Sequence, residues 1–196
     1  EFELSEEQKM FQAMVRDFVD NEIAPRAAEW DESEVFPHDV VKKMAEVGLY
    51  GLHMPEKYGG SGDDISFVLA VEEISRGCGG LGASYVTTMS LAMNAIVMHG
   101  SDEQKARYIP WVIGGANVSF GLTEAMAGSD VANLDTRYER DGDDFILNGT
   151  KIFITNGAEA DFLVTFATRD KSLGYKGISA FIVEKGFPGF SVGNAE

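Results

Sequence analysis

The sequence predicts an α+β protein in two parts. Residues 1–117 read as an all-helical N-terminal domain, and residues 118–196 as an antiparallel β-barrel or sandwich that is incomplete at its C-terminal end. Three observations carry this. Apolar residues recur at three- and four-residue spacing through the first 115 residues, the period of a helix. Two Ser-x-x-Gln boxes, Ser5 with Gln8 and Ser101 with Gln104, each offer the reciprocal hydrogen bonds that start a helix. From Val118 the pattern turns to alternation broken by glycine-bearing turns, the pattern of short strands in an all-β unit.

In order along the chain, the Ser5 box opens a helix whose apolar positions are Phe11, Met14, Val15, Phe18 and Val19, ending where Pro25 removes a donor. A second helix opens at Pro37, a residue favoured in the first turn, and stops at Gly48. Residues 54–62, rich in Gly and Pro, form a loop. Asp64 or Ser66 then caps a helix running to about Arg76, with Phe67, Val68, Val71 and Ile74 on its apolar face. The following Gly77-Cys78-Gly79-Gly80-Leu81-Gly82 spells G-x-G-x-x-G, but a dinucleotide fingerprint requires a preceding strand. Here it follows a helix, so it reads as a joint between helices. The helix from about Ser84 to Met98 is apolar nearly all round, as a buried central helix is. Its polar residues Thr87, Ser90 and Asn94 share one face, which either packs by back-bonding to the helix or lines a cavity. The Ser101 box opens the last helix, to about Val112, closed by Gly114-Gly115.

Strand-like runs follow at 119–123, 136–140, 145–153, 162–168 and 178–183. Asp141-Gly142-Asp143 reads as a tight turn, and Asn148-Gly149 as a hairpin signal.

Composition bounds the function. The net charge is −16, and residues 1–34 hold 11 acidic against 3 basic side chains, with no Lys/Arg cluster to meet a phosphate backbone; nucleic acid is excluded as a partner. The lone Cys78 rules out an intramolecular disulfide, fits a reducing compartment, and has no histidine near it in sequence to make it a nucleophile. His38, His53 and His99 are isolated, without metal-ligand spacing. The longest purely apolar run, 67–71, is too short for membrane insertion, and the acidic N-terminus has neither signal- nor transit-peptide character.

Two stretches carry chemistry. Residues 120–130, FGLTEAMAGSD, run apolar to a hydroxyl–carboxylate pair and then drop into small residues whose backbone N–H groups nothing bulky shields. Residues 151–157, KIFITNG, alternate and end on a hydroxyl and a turn. A planar ring with polar edges needs hydroxyls or N–H groups at the edge and an apolar wall on a face. Thr123 and Thr155 supply the hydroxyls and Phe153 the wall, if the two stretches adjoin; packing in a sheet accounts equally well for Thr and Phe at strand ends.

In this order and about thirty residues apart, the two stretches resemble the flavin-binding segments of the acyl-CoA dehydrogenase family, and the resemblance covers the whole chain. It is nearest the short-chain, butyryl-CoA-like members, through Gly121-Leu122-Thr123, Ile152-Phe153-Ile154-Thr155 and Ile178-Ser179-Ala180-Phe181-Ile182-Val183-Glu184. The resemblance implies FAD as cofactor, held by Phe120, Leu122, Thr123, Gly128, Ser129, Phe153, Ile154 and Thr155, and no metal. It implies substrate contacts from Ser129, Tyr175 and Lys176, the last two in a loop bordering the CoA nucleotide. The reaction it implies is α,β-dehydrogenation of an acyl-CoA in fatty acid β-oxidation, with an electron-transferring flavoprotein as acceptor and a homotetramer as the full-length assembly. The compartment would be a bacterial cytoplasm or the mitochondrial matrix. Three residues depart from the family pattern: Ala125 for Pro, Asn133 for a small residue, and Phe153 for Trp, which keeps the ring but loses the indole donor. The chain ends at Glu196, before the family's C-terminal helical domain and its catalytic glutamate; no catalytic base is expected in these residues, and Glu124 is expected to be structural. The alternatives are an acyl-CoA oxidase, or a non-catalytic fragment that keeps a CoA or flavin pocket.

Overall fold

The computed structural model describes residues 3–194. The chain divides into two compact units, Glu1–Ala116 and Asn117–Glu196, and each is described by itself.

In the first unit every regular element is helical. Both capping boxes form: Ser5 accepts from the Gln8 N–H at 3.2 Å while Gln8 accepts from the Ser5 N–H at 2.9 Å, and Ser101 and Gln104 repeat the pair. They open α1 (Glu6–Phe18) and α7 (Asp102–Ile113). Pro25 does not end the first helical run. A wide turn at Val19–Ile23 and a tight one at Ala24–Arg26 carry the chain past it into α2 (Ala27–Ser33), a helix the sequence reading missed. Proline is tolerated because it sits in the first turn of a new segment, where its missing N–H costs nothing. Pro37 precedes α3 (His38–Glu46), and Gly48 follows it in the left-handed region at φ 84°.

Asp63, one residue before the expected caps, accepts from the Ser66 N–H and opens α4 (Asp64–Gly77). The G-x-G-x-x-G run is not a nucleotide loop: Cys78 alone is extended, and Gly79, Gly80 and Gly82 lie inside α5 (Gly79–Val86). Close packing explains two of its glycines. A Cβ on Gly82 would stand 2.2 Å from Ser75 Oγ, and one on Gly77 would stand 2.4 Å from Val19 Cγ1. The helix continues through a wide turn at Thr87–Ala92 into α6 (Met93–His99). By length and composition this 21-residue run could cross a membrane, yet Leu81, Tyr85, Met89, Met93 and Ile96 are buried in the unit's core. Of its polar face, Thr87 is buried and Asn94 Oδ1 lies 2.9 Å from His53 Nε2, whose Nδ1 lies 2.6 Å from Asp64. Ser90, on the same face, is half-buried. A second network centres on the buried Glu73, which accepts from Arg16 and Arg76 and ties α1 to α4.

The second unit is one sheet of β1 (Val118–Gly121), β2 (Arg137–Asp141), β3 (Asp144–Asn148), β4 (Phe162–Thr168) and β5 (Ile178–Glu184). A helical unit followed by a β-sheet unit is the architecture read from the pattern. The pairing is mixed: β2–β3 and β4–β5 are antiparallel as expected, whereas β1 pairs β4 in parallel, Val118 opposite Phe162. The Asp141-Gly142-Asp143 turn joins β2 to β3, with Gly142 at φ 63°. Asn148-Gly149, read as a hairpin, is instead where β3 ends. The expected strand 145–153 stops at residue 148; the next residue, Gly149, lies so close to Thr136 that a Cβ there would be 2.6 Å from the Thr136 Cα. Phe162, Val164, Ala167, Val118 and Leu134 form the buried centre of this unit.

Candidate flavin-facing site

β1 delivers the first stretch. Beyond Gly121 the chain leaves the sheet, so Leu122 and Thr123 are half-buried, while Ala125, Met126, Gly128, Ser129 and Asp130 are exposed. Phe120, on β1, packs edge-on against Phe166 at 5.0 Å. Residues 151–157 are not a strand; they run as an irregular segment and turn, with the Gly157 N–H donating to the Ile154 carbonyl at 2.8 Å.

The structure joins the two stretches. The Ile152 N–H donates to the Thr123 carbonyl at 2.9 Å, and Lys151 Nζ donates to the Leu122 carbonyl at 3.2 Å and to Glu124 Oε1 at 2.7 Å. The adjacency that residue order left open is therefore present. Thr155 is exposed, Ile154 half-buried, and Phe153 74% exposed at φ 53°. A bulky side chain in the left-handed region is strained, and exposure means that no packing offsets the strain. A ring held out in this way is arranged for contact with something other than the core. The hydroxyls of Thr123, Ser129 and Thr155 have no protein partner among the described residues. A free aromatic plane and unclaimed hydroxyls on two segments joined by hydrogen bonds are the donor set and wall that a flavin needs, so the residues fit that group.

Behind this face lies a network that sequence reasoning undervalued. Glu124 is 7% exposed, and its carboxylate accepts from the N–H groups of Asp135 and Thr136, from the Thr136 hydroxyl and from Lys151. Burial pushes this carboxyl up, but the hydrogen bonds from Lys151, Thr136 and Asp135 outweigh it and bring it down to about 2. Burial lowers the Lys151 ammonium, against the raising effect of its bond to Glu124. Four hydrogen bonds hold this carboxylate in its charged form. Lys151 and Thr136 were not singled out; the one clue was a basic residue opening an otherwise apolar run. A cavity of about 200 Å³ opens over Glu124, Met126, Thr136 and Thr150. At that volume it is too small for a flavin.

Tyr175 and Lys176 lie on a tight helical turn, Lys171–Gly177, between β4 and β5. Tyr175 is 73% exposed, and Lys176 is exposed with no ion-pair partner among the described residues, whereas Lys171 is bound to Asp135 at 2.5 Å. Among those residues no group of acidic, His or Cys side chains could hold a metal.

The acyl-CoA dehydrogenase N-terminal domain family matches residues 5–116, and the acyl-CoA dehydrogenase middle domain family matches residues 119–196. The chain is 46% identical to the short-chain specific acyl-CoA dehydrogenase of Clostridium acetobutylicum, over 100% of this chain and 52% of that protein. Among solved structures it is similar to one described as the electron transferring flavoprotein of Acidaminococcus fermentans, with 44% identity and a TM-score of 0.96 over 100% of this chain and 52% of that one. It is similar also to butyryl-CoA dehydrogenase from Megasphaera elsdenii, with 39% identity and a TM-score of 0.94 over 100% of this chain and 53% of that one. The chain spans about half the length of the curated relatives it matches. With both of its units matched by the family's N-terminal and middle domains, the chain belongs to the acyl-CoA dehydrogenase family.

Proposed function

We propose that the protein carrying this chain is an FAD-dependent dehydrogenase that forms the α,β double bond of a short acyl-CoA thioester. The observation that carries this is the Ile152-to-Thr123 hydrogen bond, which makes one surface of two segments bearing Thr123, Phe153 and Thr155. The bound flavin supplies the two-electron acceptor for the hydride leaving the β-carbon. In this reading Thr123 and Thr155 orient the edge of the ring by hydrogen bonds, Phe153 covers one face and keeps water from it, and Ser129 reaches both ring and substrate. Phe120, Leu122, Gly128 and Ile154 shape the surface around them. Tyr175 and the unpaired Lys176 hold the nucleotide end of CoA, an anion that an acidic protein must meet with local cations. Removal of the α-proton requires a carboxylate with a pKa nearer neutrality than that of Glu124, and we place that base in a part of the protein outside this chain.

Similarity to dehydrogenases over the whole chain supports this reading over an oxidase or a non-catalytic fragment. An electron-transferring flavoprotein as acceptor, a homotetramer, and a place in bacterial cytoplasm or mitochondrial matrix belong to the same proposal. The test is anaerobic mixing of FAD-reconstituted protein with butyryl-, isovaleryl- or octanoyl-CoA. Bleaching of the flavin colour by at least one, with slow reoxidation by oxygen, is the expected result. A colourless or unreactive protein would sink the assignment, and rapid peroxide formation would turn it to an oxidase.

A further inference from the structure

We infer that Lys151 is a positioning residue: through its clamp on Leu122 and Glu124 it sets the spacing between the two flavin-facing segments. This rests on the flavoprotein reading above and deepens it. The observation is a consecutive set of bonds. Leu122 accepts at its carbonyl from Lys151 Nζ, Thr123 at its carbonyl from the Ile152 N–H, and Glu124 at its carboxylate from Lys151 Nζ again. Three successive residues of one segment are thus fastened to two successive residues of the other, and the side chain of Thr123 is left outward and unclaimed.

The clamp is itself fixed from behind. The Lys151 side chain is 9% exposed and that of Glu124 6%, and the Asp135 and Thr136 N–H groups and the Thr136 hydroxyl fill the rest of the carboxylate. Both charges are nearly buried and bonded to the protein, so the pair is proposed to act on the ring through Thr123 and through Phe153, two residues along from Lys151. A buried ion pair is a poor source of stability, because an apolar pair of the same volume usually serves as well or better. What a fully satisfied pair does provide is a single geometry, and a flavin site needs its first contacts held by supporting groups.

The experiment compares FAD affinity, by quenching of flavin fluorescence, in the protein carrying this chain and in Lys151→Met/Glu124→Gln, Lys151→Arg and Thr136→Val variants. The double substitution leaves no unpaired buried charge; circular dichroism should show it folded. It should bind FAD at least about tenfold more weakly, the scale of loss for misplaced contact groups. Lys151→Arg, which keeps the charge and the donors, should recover most of that loss. Thr136→Val removes one clamp bond without exposing a charge, and should weaken FAD binding several-fold even if the double variant does not fold. Variants that fold and bind FAD within about twofold of the unaltered protein, a difference under 0.5 kcal/mol, would overturn the inference while leaving the flavoprotein reading intact. An unaltered protein that takes up no FAD would overturn that reading, and this inference with it.

Discussion

Ile152 donates its backbone N–H to the carbonyl of Thr123 at 2.9 Å, although the two residues lie in separate, irregular segments that the sheet does not pair. The bond sits where β1 has already ended, so it is made by loops held at a fixed distance rather than by a strand ladder. The residues flanking it differ in exposure: Glu124 and Lys151 pair in a buried ion pair, while the ring of Phe153 is exposed.

Phe153 tests the exposed part. Replacing it with Gly relieves a left-handed residue of about 1–2 kcal/mol of strain but adds roughly 0.5–1 kcal/mol of unfolded-chain entropy. The ring is 74% exposed, so little packing is lost. Phe153→Gly should change unfolding stability by less than about 1 kcal/mol while weakening FAD binding about tenfold, the cost of a lost aromatic wall. Loss of stability with unchanged FAD affinity would make Phe153 a core residue.

Acid tests the buried pair. The folded-state value of the Glu124 carboxyl, about 2, lies below its ordinary 4.5, so its contribution to stability is fully present above about 4.5 and is lost as the pH falls through about 2. That difference is worth roughly 3 kcal/mol. Chemical denaturation from pH 5 to pH 2 should show this share of the acid loss in the unaltered protein and not in Glu124→Gln. Identical acid profiles in the two proteins would contradict the network.

How much of this was legible in the residues follows from range. Capping boxes, the glycine stop after α3 and the Asp-Gly turn between β2 and β3 are local, and they were read where they lie. Pro25 misled because a proline reads as a stop, whereas the chain simply restarts its helix there. The strand expected through residue 153 ends at Asn148, and alternation alone does not mark that end. The parallel pairing of β1 with β4 joins positions far apart in the chain, which alternation does not encode. Thr123, Phe153 and Thr155 are proposed through a family resemblance; the Lys151–Glu124 ion pair spans 27 residues and needed coordinates.

Lys176 tests the substrate end. It is exposed, without an ion-pair partner among the described residues, in a protein of net charge −16. Lys176→Ala should raise the KM for acyl-CoA several-fold and leave kcat nearly unchanged, the signature of lost uniform binding. An acyl-pantetheine substrate without the nucleotide should be insensitive. Equal losses with both substrates would remove this loop from the binding surface.

The edge strand β3 tests what residues 1–196 do when expressed alone. Among the described residues it pairs only with β2, and Phe145 and Ile146 are each 49% exposed. An uncovered apolar edge is a template for association. The isolated segment should aggregate or bind FAD poorly, and Ile146→Lys should reduce the aggregation. A monodisperse, flavin-saturated species on a sizing column would show this wrong.

The central claim is that residues 122–130 and 151–157 together form the flavin-facing surface, and amide hydrogen exchange of the protein with and without FAD measures it directly. The account predicts that FAD slows exchange in both segments at once, most strongly at the loop amides of 125–130 and 153–157, with little change in α1 to α3. Protection confined to one segment, or lying outside both, would contradict it.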